Sequence, residues 1–229
     1  MWLIYVFIIM KRNLSFYFFI ILPYFIICQS SSLINDIQTW NSVEFQYKKI
    51  KRTELSLELG LRHDDNLNNF SKFLTDFSLR RSFINYIDYS IGFRFDRKEN
   101  KDSFDDRIRY YFDNYIVYEI FKNFDLKSRL RYQNQRLQGV SSSQNSINKL
   151  RHKISLVNNF KKSINIFFGS EIFYEFGEGF EKYRILSGLK KRISKNFSAS
   201  IVGLFQNDFD SNNEKSIFVL KTKLVYSFK

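Results

Sequence analysis

Several residue types are scarce in this chain, and each scarcity excludes a class of protein. The 229 residues include one cysteine, one proline and eight glycines, and Ala199 is the sole alanine. Because Cys28 and Pro23 both lie near the amino terminus, the rest of the chain has no disulfide framework and no zinc-thiolate site. A series of apolar runs of about 20 residues is also missing, which excludes a bundle of transmembrane helices.

Aromatic residues and positive charge are abundant instead. The chain has 27 Phe, 14 Tyr and a formal net charge of +13. So much apolar surface excludes a disordered protein, and many Phe, Tyr, Ile and Thr residues favour β structure. A basic, aromatic chain is also typical of nucleic-acid binding. Here the aromatic and charged side chains alternate onto opposite faces of the predicted strands, so we expect no nucleic-acid partner.

Residues 1–28 contain no acidic residue and predict a signal peptide. If translation starts at Met10, a Lys-Arg pair forms the basic region and Leu14–Ile27 forms the apolar region of a secretory signal. Cleavage near Cys28 would then export residues 29–229, the predicted barrel domain, by the Sec pathway. An uncleaved helical anchor is the alternative, although the apolar region is short for a membrane span.

Segments of alternating polarity recur after this leader. In one of them, Leu55, Leu57, Leu59 and Leu61 alternate with polar residues and glycine. Period two over about 8 to 12 residues predicts β-strands, and these are longer than the strands of about 5 or 6 residues in soluble sheets. A continuous apolar face on strands of this length is what a membrane-spanning barrel requires.

The predicted fold is therefore all-β, a transmembrane antiparallel up-and-down β-barrel of about 12 strands, with about 10 as the alternative. About eleven alternating segments are recognisable, but closed bacterial barrels have an even number of strands. We therefore expect residues 29–38 to supply a short additional strand or to pass through the lumen.

Connection lengths and charge predict the orientation of this barrel. Short and long connections alternate along the chain, as short periplasmic turns and longer external loops do in barrels of the outer membrane of a Gram-negative bacterium. Lys and Arg gather at the short connections, where we expect them to contact phospholipid headgroups, and lipopolysaccharide would contact the external side. The barrel-assembly machinery would insert the chain through its last strand, Ser216 to Phe228. The long connections are predicted near residues 63–71, 96–105, 135–148, 176–180 and 207–215.

Five hairpin segments resemble a known family. They are QTWNSVEFQYK (38–48), LSLELGLRHDDN (55–66), FLTDFSLRRS (73–82), LRHKISLVNNF (150–160) and EKYRILSGLKKRISKNFS (181–198). The sequence is similar over nearly all of residues 35–229 to an uncharacterised family of bacterial outer-membrane β-barrels, domain of unknown function 2490. This resemblance implies an integral outer-membrane protein of unassigned activity and implies no catalytic residues. The chain departs from the usual barrel ending because Lys229 follows the final aromatic residue.

The polar faces of the predicted strands point into the lumen, and their charge leaves two functions open. A cross-strand lattice of ion pairs would plug the lumen of a structural or surface-interaction barrel. Alternatively, a porin-like ladder of Arg and Lys would line a narrow anion-preferring pore for small solutes. The predicted lumen-lining residues are Glu58, Arg62, Arg94, Arg107, Arg109, Asp113, Lys127, Arg129, Arg131, Arg151, Lys153, Glu171, Arg184, Lys221 and Lys223.

A third alternative is a hydrolase of lipid or peptide at the barrel rim. Such an enzyme needs a base, and the chain has only two histidines. The candidate residues are His63, Asp64, Asp65 and His152, with Ser71 or Ser141–Ser143 as the nucleophile. No spacing fixes these residues within hydrogen-bonding distance of each other, so we do not expect an enzyme.

Acidic pairs in the predicted loops could bind divalent cations that bridge to lipopolysaccharide phosphates. The sequence contains no EF-hand, phosphate loop or zinc constellation, however. We therefore predict no metal site and no cofactor. The acidic pairs are Asp64 with Asp65, Asp105 with Asp106, and Asp208 with Asp210.

Overall fold

The structure is a computed structural model that describes residues 34–100, 103–138, 146–161, 163–209 and 216–228, apart from the side chains of Asn100 and Lys161. The signal peptide predicted over residues 1–28 lies outside the described residues, as do Ser141–Ser143. Within the described ranges, no helix is long and apolar enough to cross a membrane.

In the described part of the chain, eleven strands form a closed barrel in which consecutive strands are neighbours. All ten pairings between consecutive strands are antiparallel. The predicted all-β barrel is thus confirmed. The strands are β1 Ile34–Tyr47, β2 Thr53–Asp64, β3 Asn69–Ile84, β4 Ile87–Asn100, β5 Ser103–Phe121, β6 Phe124–Leu137, β7 Ser146–Lys161, β8 Ile164–Glu175, β9 Gly179–Arg192, β10 Phe197–Asp208 and β11 Ser216–Phe228.

The pairing that closes the barrel, between β1 and β11, is parallel. Thr222 Oγ1 donates to Asn41 Oδ1 over 2.6 Å, and Ser227 Oγ donates to Gln46 Oε1 over 3.1 Å. Both contacts join residues 181 positions apart, so the two strands run in the same direction. The predicted even strand number was wrong. β1 already begins at Ile34, includes the second half of the segment expected to form an extra strand, and pairs with β2 on one edge and β11 on the other.

The connections define two ends of the barrel. Among the described residues, the turn end carries residues 48–52, 85–86, 122–123, 163 and 193–196, and the loop end carries residues 65–68, 138, 176–178 and 209. Only two connections at the loop end exceed those at the turn end in length, so the predicted alternation of lengths was wrong for the other three.

Strands continue through the polar residues that were expected to form those three loops. On β4 and β5, for example, Arg97 binds both carboxylate oxygens of Asp106 over 2.7 Å. Because this pair lies in register across the two strands, it extends the hairpin beyond the apolar part of the barrel. Cross-strand pairs of opposite charge stabilise a sheet in this way.

Alternation separates the two faces of the barrel as predicted. Leu57, Leu59 and Leu61 of β2 are exposed on the outer surface, whereas the intervening Glu58 and Arg62 line the interior. The strand registers carry this division around the barrel, since outward residues pair with outward residues on each neighbour. The result is an apolar belt much larger than the apolar patches of soluble monomers.

Aromatic rings gather toward both ends of this outer surface. At the turn end, Tyr226 and Phe228 have ring centroids 4.8 Å apart, and Phe83 and Tyr89 lie 6.2 Å apart. Girdles of aromatic residues at both interfaces are typical of transmembrane β-barrels. At the loop end, the contacting rings are those of Tyr174, Phe176, Phe180, Tyr183 and Phe209.

Candidate functional site

A cavity of about 640 Å³ occupies the barrel interior, lined by fifteen Lys or Arg and six Asp or Glu side chains. Two of the predicted lumen residues are placed elsewhere. Asp113 is buried in the wall with no exposed surface, and Lys127 lines a second cavity of about 350 Å³ toward the turn end. Gln46 and Phe167 line both cavities, so the two adjoin. The other predicted residues line the larger cavity, namely Glu58, Arg62, Arg94, Arg107, Arg109, Arg129, Arg131, Arg151, Lys153, Glu171, Arg184, Lys221 and Lys223.

A chain of hydrogen bonds builds the wall on β3, β5 and β6. Arg131 donates to the two carboxylate oxygens of Asp113 over 2.6 and 2.7 Å, and the hydroxyl of Tyr115 donates to the same carboxylate over 2.8 Å. The guanidinium of Arg131 lies 3.7 Å from the ring centroid of Tyr111. The Tyr111 hydroxyl in turn donates to Asp76 over 2.6 Å. Arg131 is therefore held on two sides and presents little surface to the lumen.

Gly92 of β4 makes room for this arrangement. A Cβ atom at this position would lie only 2.1 Å from Cζ of Tyr111, which is its register partner on β5. The glycine is required because the tyrosine ring lies against the β4 backbone, and no turn is involved. Neither Gly92 nor Tyr111 was singled out in the sequence, since a close approach between strands leaves no local signal.

Glu171 of β8 binds three arginines at once. Its carboxylate accepts from Arg129 over 2.7 Å, Arg151 over 2.9 Å and Arg184 over 3.5 Å. These residues come from β6, β7 and β9. One negative charge is thus shared by three positive charges, and Lys153 stands directly opposite Glu171 in the register of β7 and β8. This part of the wall has a local excess of positive charge.

Toward the turn end, Lys223 of β11 joins the first two strands to the last. It forms ion pairs with Glu44 of β1 and, over 2.6 Å, with Glu58 of β2. These contacts reinforce the parallel seam from the inside. Both acidic side chains are engaged with a cation, so neither adds free negative charge to the lumen.

Toward the loop end, the lumen contains cations with few partners. Arg109 donates to Asp96 over 3.3 Å, and the guanidinium of Arg62 lies 3.9 Å from the Trp40 ring centroid. Cation–π contact of this kind holds an arginine without neutralising it. Lys72 also lines the cavity. Lys72 was not predicted from the sequence, although its alternation with the outward Phe73 was a signal.

Part of the inner wall is apolar. Leu186, Leu204, Ile217 and Val219 form a buried cluster on β9, β10 and β11, against which Trp40 packs. We did not predict this cluster, but the unbroken apolar run IFVL in β11 was a signal, since both faces of a strand are buried where such runs occur. The lumen therefore has a small apolar core along one wall and charged residues along the others.

Ion pairs follow the wall rather than crossing the lumen. Among the described residues, each ion pair between strands joins neighbouring strands or strands separated by one other. Within the same ranges, Arg62, Lys72, Lys153 and Lys221 line the cavity without an ion pair. A charge without a partner is costly to bury in a dry interior. The cavity must therefore supply water or anions to these four cations.

The candidate catalytic residues do not converge. His63 of β2 faces outward with its ring against a phenylalanine, and Nε2 of His152 on β7 lies 3.0 Å from Ser128 Oγ on the outer surface. Asp64 ends β2 and Asp65 begins the next turn. Over the described ranges, neither imidazole contacts a carboxylate. The arrangement lacks the third group that orients a catalytic base.

Asp105 and Asp106 are engaged with basic side chains, whereas Asp65 accepts a hydrogen bond from Asn69 over 3.0 Å and Asp208 accepts one from Gln206 over 3.4 Å. Asp106 is bound by Arg97, and Asp105 lies 3.9 Å from Arg107. Asp210 lies outside the described residues. No group of three His, Cys, Asp or Glu side chains in the described part of the chain could hold a metal ion.

Residues 37–216 match the model of a protein family described as protein of unknown function, DUF2490. The chain belongs to this family. The resemblance found in the sequence is thereby confirmed. No curated protein sequence matches this DUF2490 chain.

Two solved structures resemble the barrel of this DUF2490 chain. The β domain of the Bordetella autotransporter Brka has a TM-score of 0.51 and 6% identity, with 75% of this chain and 82% of that chain covered. The anion-selective porin from Comamonas acidovorans has a TM-score of 0.41 and 8% identity, with 77% of this chain and 54% of the porin covered. The chain therefore spans about half the length of the porin. At such identities, the likeness to the autotransporter domain supports the barrel fold alone.

Proposed function

We propose that this protein resides in the outer membrane and that its lumen passes small anions. The observation that carries the proposal is the charge at the cavity surface, where fifteen of the described side chains are basic and six are acidic, and where Arg62, Lys72, Lys153 and Lys221 have no ion pair. A water-filled path lined by fixed positive charge attracts anions and repels cations. The ion pairs of the wall fix the arginines in place, and the four unpaired cations remain available to passing ions.

The outer surface supports a membrane location. Apolar side chains cover the belt between the two aromatic girdles, as hydrocarbon requires. Lys48, Lys49 and Lys51 are exposed at the turn end, which we propose faces the periplasm, where basic residues attract anionic headgroups. On this proposal lipids and lipopolysaccharide contact the barrel, and the barrel-assembly machinery inserts it through β11.

The course of the ion pairs favours a conducting lumen over a plugged one. The cross-strand ion pairs predicted for a plugged barrel are present among the described residues, but they run along the wall and do not join strands on opposite sides of the lumen. The plugged, structural barrel was the first interpretation of the sequence, and it is the alternative that the following experiment distinguishes. A rim hydrolase has less support, because both histidines face outward and neither contacts a carboxylate.

Planar-bilayer recording tests the proposal. We expect the refolded protein to give steady openings in potassium chloride, with a reversal potential in a salt gradient that reports preference for chloride. Lys72→Gln removes an unpaired lumen cation and should shift the permeability ratio toward unity. Lys49→Gln makes the same charge change at an exposed rim position and should leave the ratio unchanged.

Two results would contradict the proposal. Preference for potassium would mean that the lumen cations do not determine the ion selectivity of the barrel. Silence from a barrel shown to be folded by its heat-modifiable migration would remove conduction and favour the structural, surface-interaction role.

A further inference from the structure

Two lysines from distant strands line the same lumen cavity. Lys153 comes from β7 and Lys221 from β11, which are separated by three strands of the wall. Both project into the same cavity of about 640 Å³, from walls that lie four strand positions apart in the ring of eleven described strands. No ion pair or hydrogen bond to either ammonium occurs within the described ranges.

The acidic side chains nearby are already occupied. Glu58 is bound over 2.6 Å by Lys223, which lies two residues from Lys221 on the same strand. Glu171, which is close to Lys153, is shared by three arginines, including Arg129 and Arg184. Neither carboxylate can therefore neutralise the two lysines. Two like charges that share one cavity repel each other, and an anion between them removes this repulsion.

We propose that Lys153 and Lys221 form a binding site for a compact anion with two negative charges, such as sulfate, hydrogen phosphate or a short dicarboxylate. Each of the two negative charges contacts one of the ammonium groups, and Arg129 and Arg184, which bind Glu171, supply further hydrogen-bond donors. A monovalent anion can neutralise only one of the two lysines at a time. The site therefore selects the permeating solute by valence, and the assignment rests on the anion-conducting lumen proposed above.

Sulfate inhibition of chloride current tests this site. With ionic strength held constant, sulfate should reduce chloride conductance more than nitrate does. Lys153→Gln and Lys221→Gln should each weaken sulfate inhibition by about tenfold or more, the loss of one charge-assisted contact. Lys153→Arg keeps the charge and should retain inhibition. Lys72→Gln removes a lumen cation nearer the loop end and serves as the matched control, with sulfate inhibition retained.

A second readout does not depend on conduction. Calorimetric titration of the detergent-folded barrel with sodium sulfate should give a saturable signal that each lysine-to-glutamine variant weakens by a similar factor. These substitutions break no ion pair, so the variants should fold, and their heat-modifiable migration checks this.

The outcomes separate the two proposals. Chloride current without preferential sulfate inhibition overturns the site but still supports the anion-conducting lumen. A silent barrel that binds sulfate through the two lysines overturns conduction and supports the site. A silent barrel without sulfate binding overturns both.

Discussion

Removal of the Asp113 carboxylate should destabilise the barrel more than removal of a partly exposed carboxylate on the same strand. Asp113 has no exposed surface and Arg131 is 5% exposed. Asp113→Ala leaves two donors of Arg131 and the hydroxyl of Tyr115 without an acceptor. Breaking a buried ion pair by removing one partner costs about 3–5 kcal/mol. Asp105→Ala, by contrast, removes a loose pair with an N···O distance of 3.9 Å, which contributes about 0–1 kcal/mol.

Urea unfolding of the refolded protein in phospholipid vesicles measures the difference. Trp40 is the single tryptophan of residues 29–229, and its fluorescence reports the state of the lumen. We expect the urea midpoint to fall in proportion to the lost free energy while the slope of the transition stays constant, since the surface exposed on unfolding is unchanged.

A double substitution isolates the cause. If the cost arises from the orphaned guanidinium, Asp113→Ala with Arg131→Met should be more stable than Asp113→Ala alone, because the uncompensated charge is gone. Equal costs for Asp113→Ala and Asp105→Ala, or additive costs in the double variant, would refute the reasoning that the buried pair stabilises the wall.

Two further predictions concern the two faces of the barrel. Gly92→Ala should lower the free energy of unfolding by about 1–3 kcal/mol because the new methyl group overlaps the ring of Tyr111. Gly203→Ala is the control: its new methyl group would lie at an ordinary 3.7 Å from its nearest neighbour, so the substitution should be nearly neutral in the same unfolding assay. Leu59→Arg should lower the free energy of unfolding in vesicles by about 2–4 kcal/mol because it places a charge at the middle of the lipid-facing belt, and Leu59→Ile is its control. An unchanged stability of the Leu59→Arg barrel would show that this surface does not contact hydrocarbon.

Which side of each strand meets the lumen could be predicted because period two is a local property. Leu57 and Glu58 fall on opposite faces whatever strands lie beside them. The number of strands could not be predicted in this way. It depends on how Asn41 meets Thr222, 181 positions along the chain, and an even count is a regularity of known barrels rather than a requirement of the alternation.

The chemistry of the lumen was only partly accessible from sequence for the same reason. Alternation placed Arg131 and Lys153 on the same inward face, but it could not distinguish their states. Arg131 is neutralised because the register of β5 and β6 puts Asp113 opposite to it. Lys153 stands opposite Glu171, yet three arginines occupy that carboxylate. Partners of this kind follow from register and from competition between side chains, neither of which a single strand contains.

The unpaired cations are the positions that the fold itself does not explain. Ser90 and Ser200 line the same cavity, so an inward position can be filled by a small neutral side chain. Lys153 and Lys221 instead add charge that no neighbour neutralises, at a cost in electrostatic free energy. Sequences break the rules of stable packing chiefly at functional sites. The two lysines, rather than the paired arginines of the wall, are therefore the residues in which a function of this barrel should be sought first.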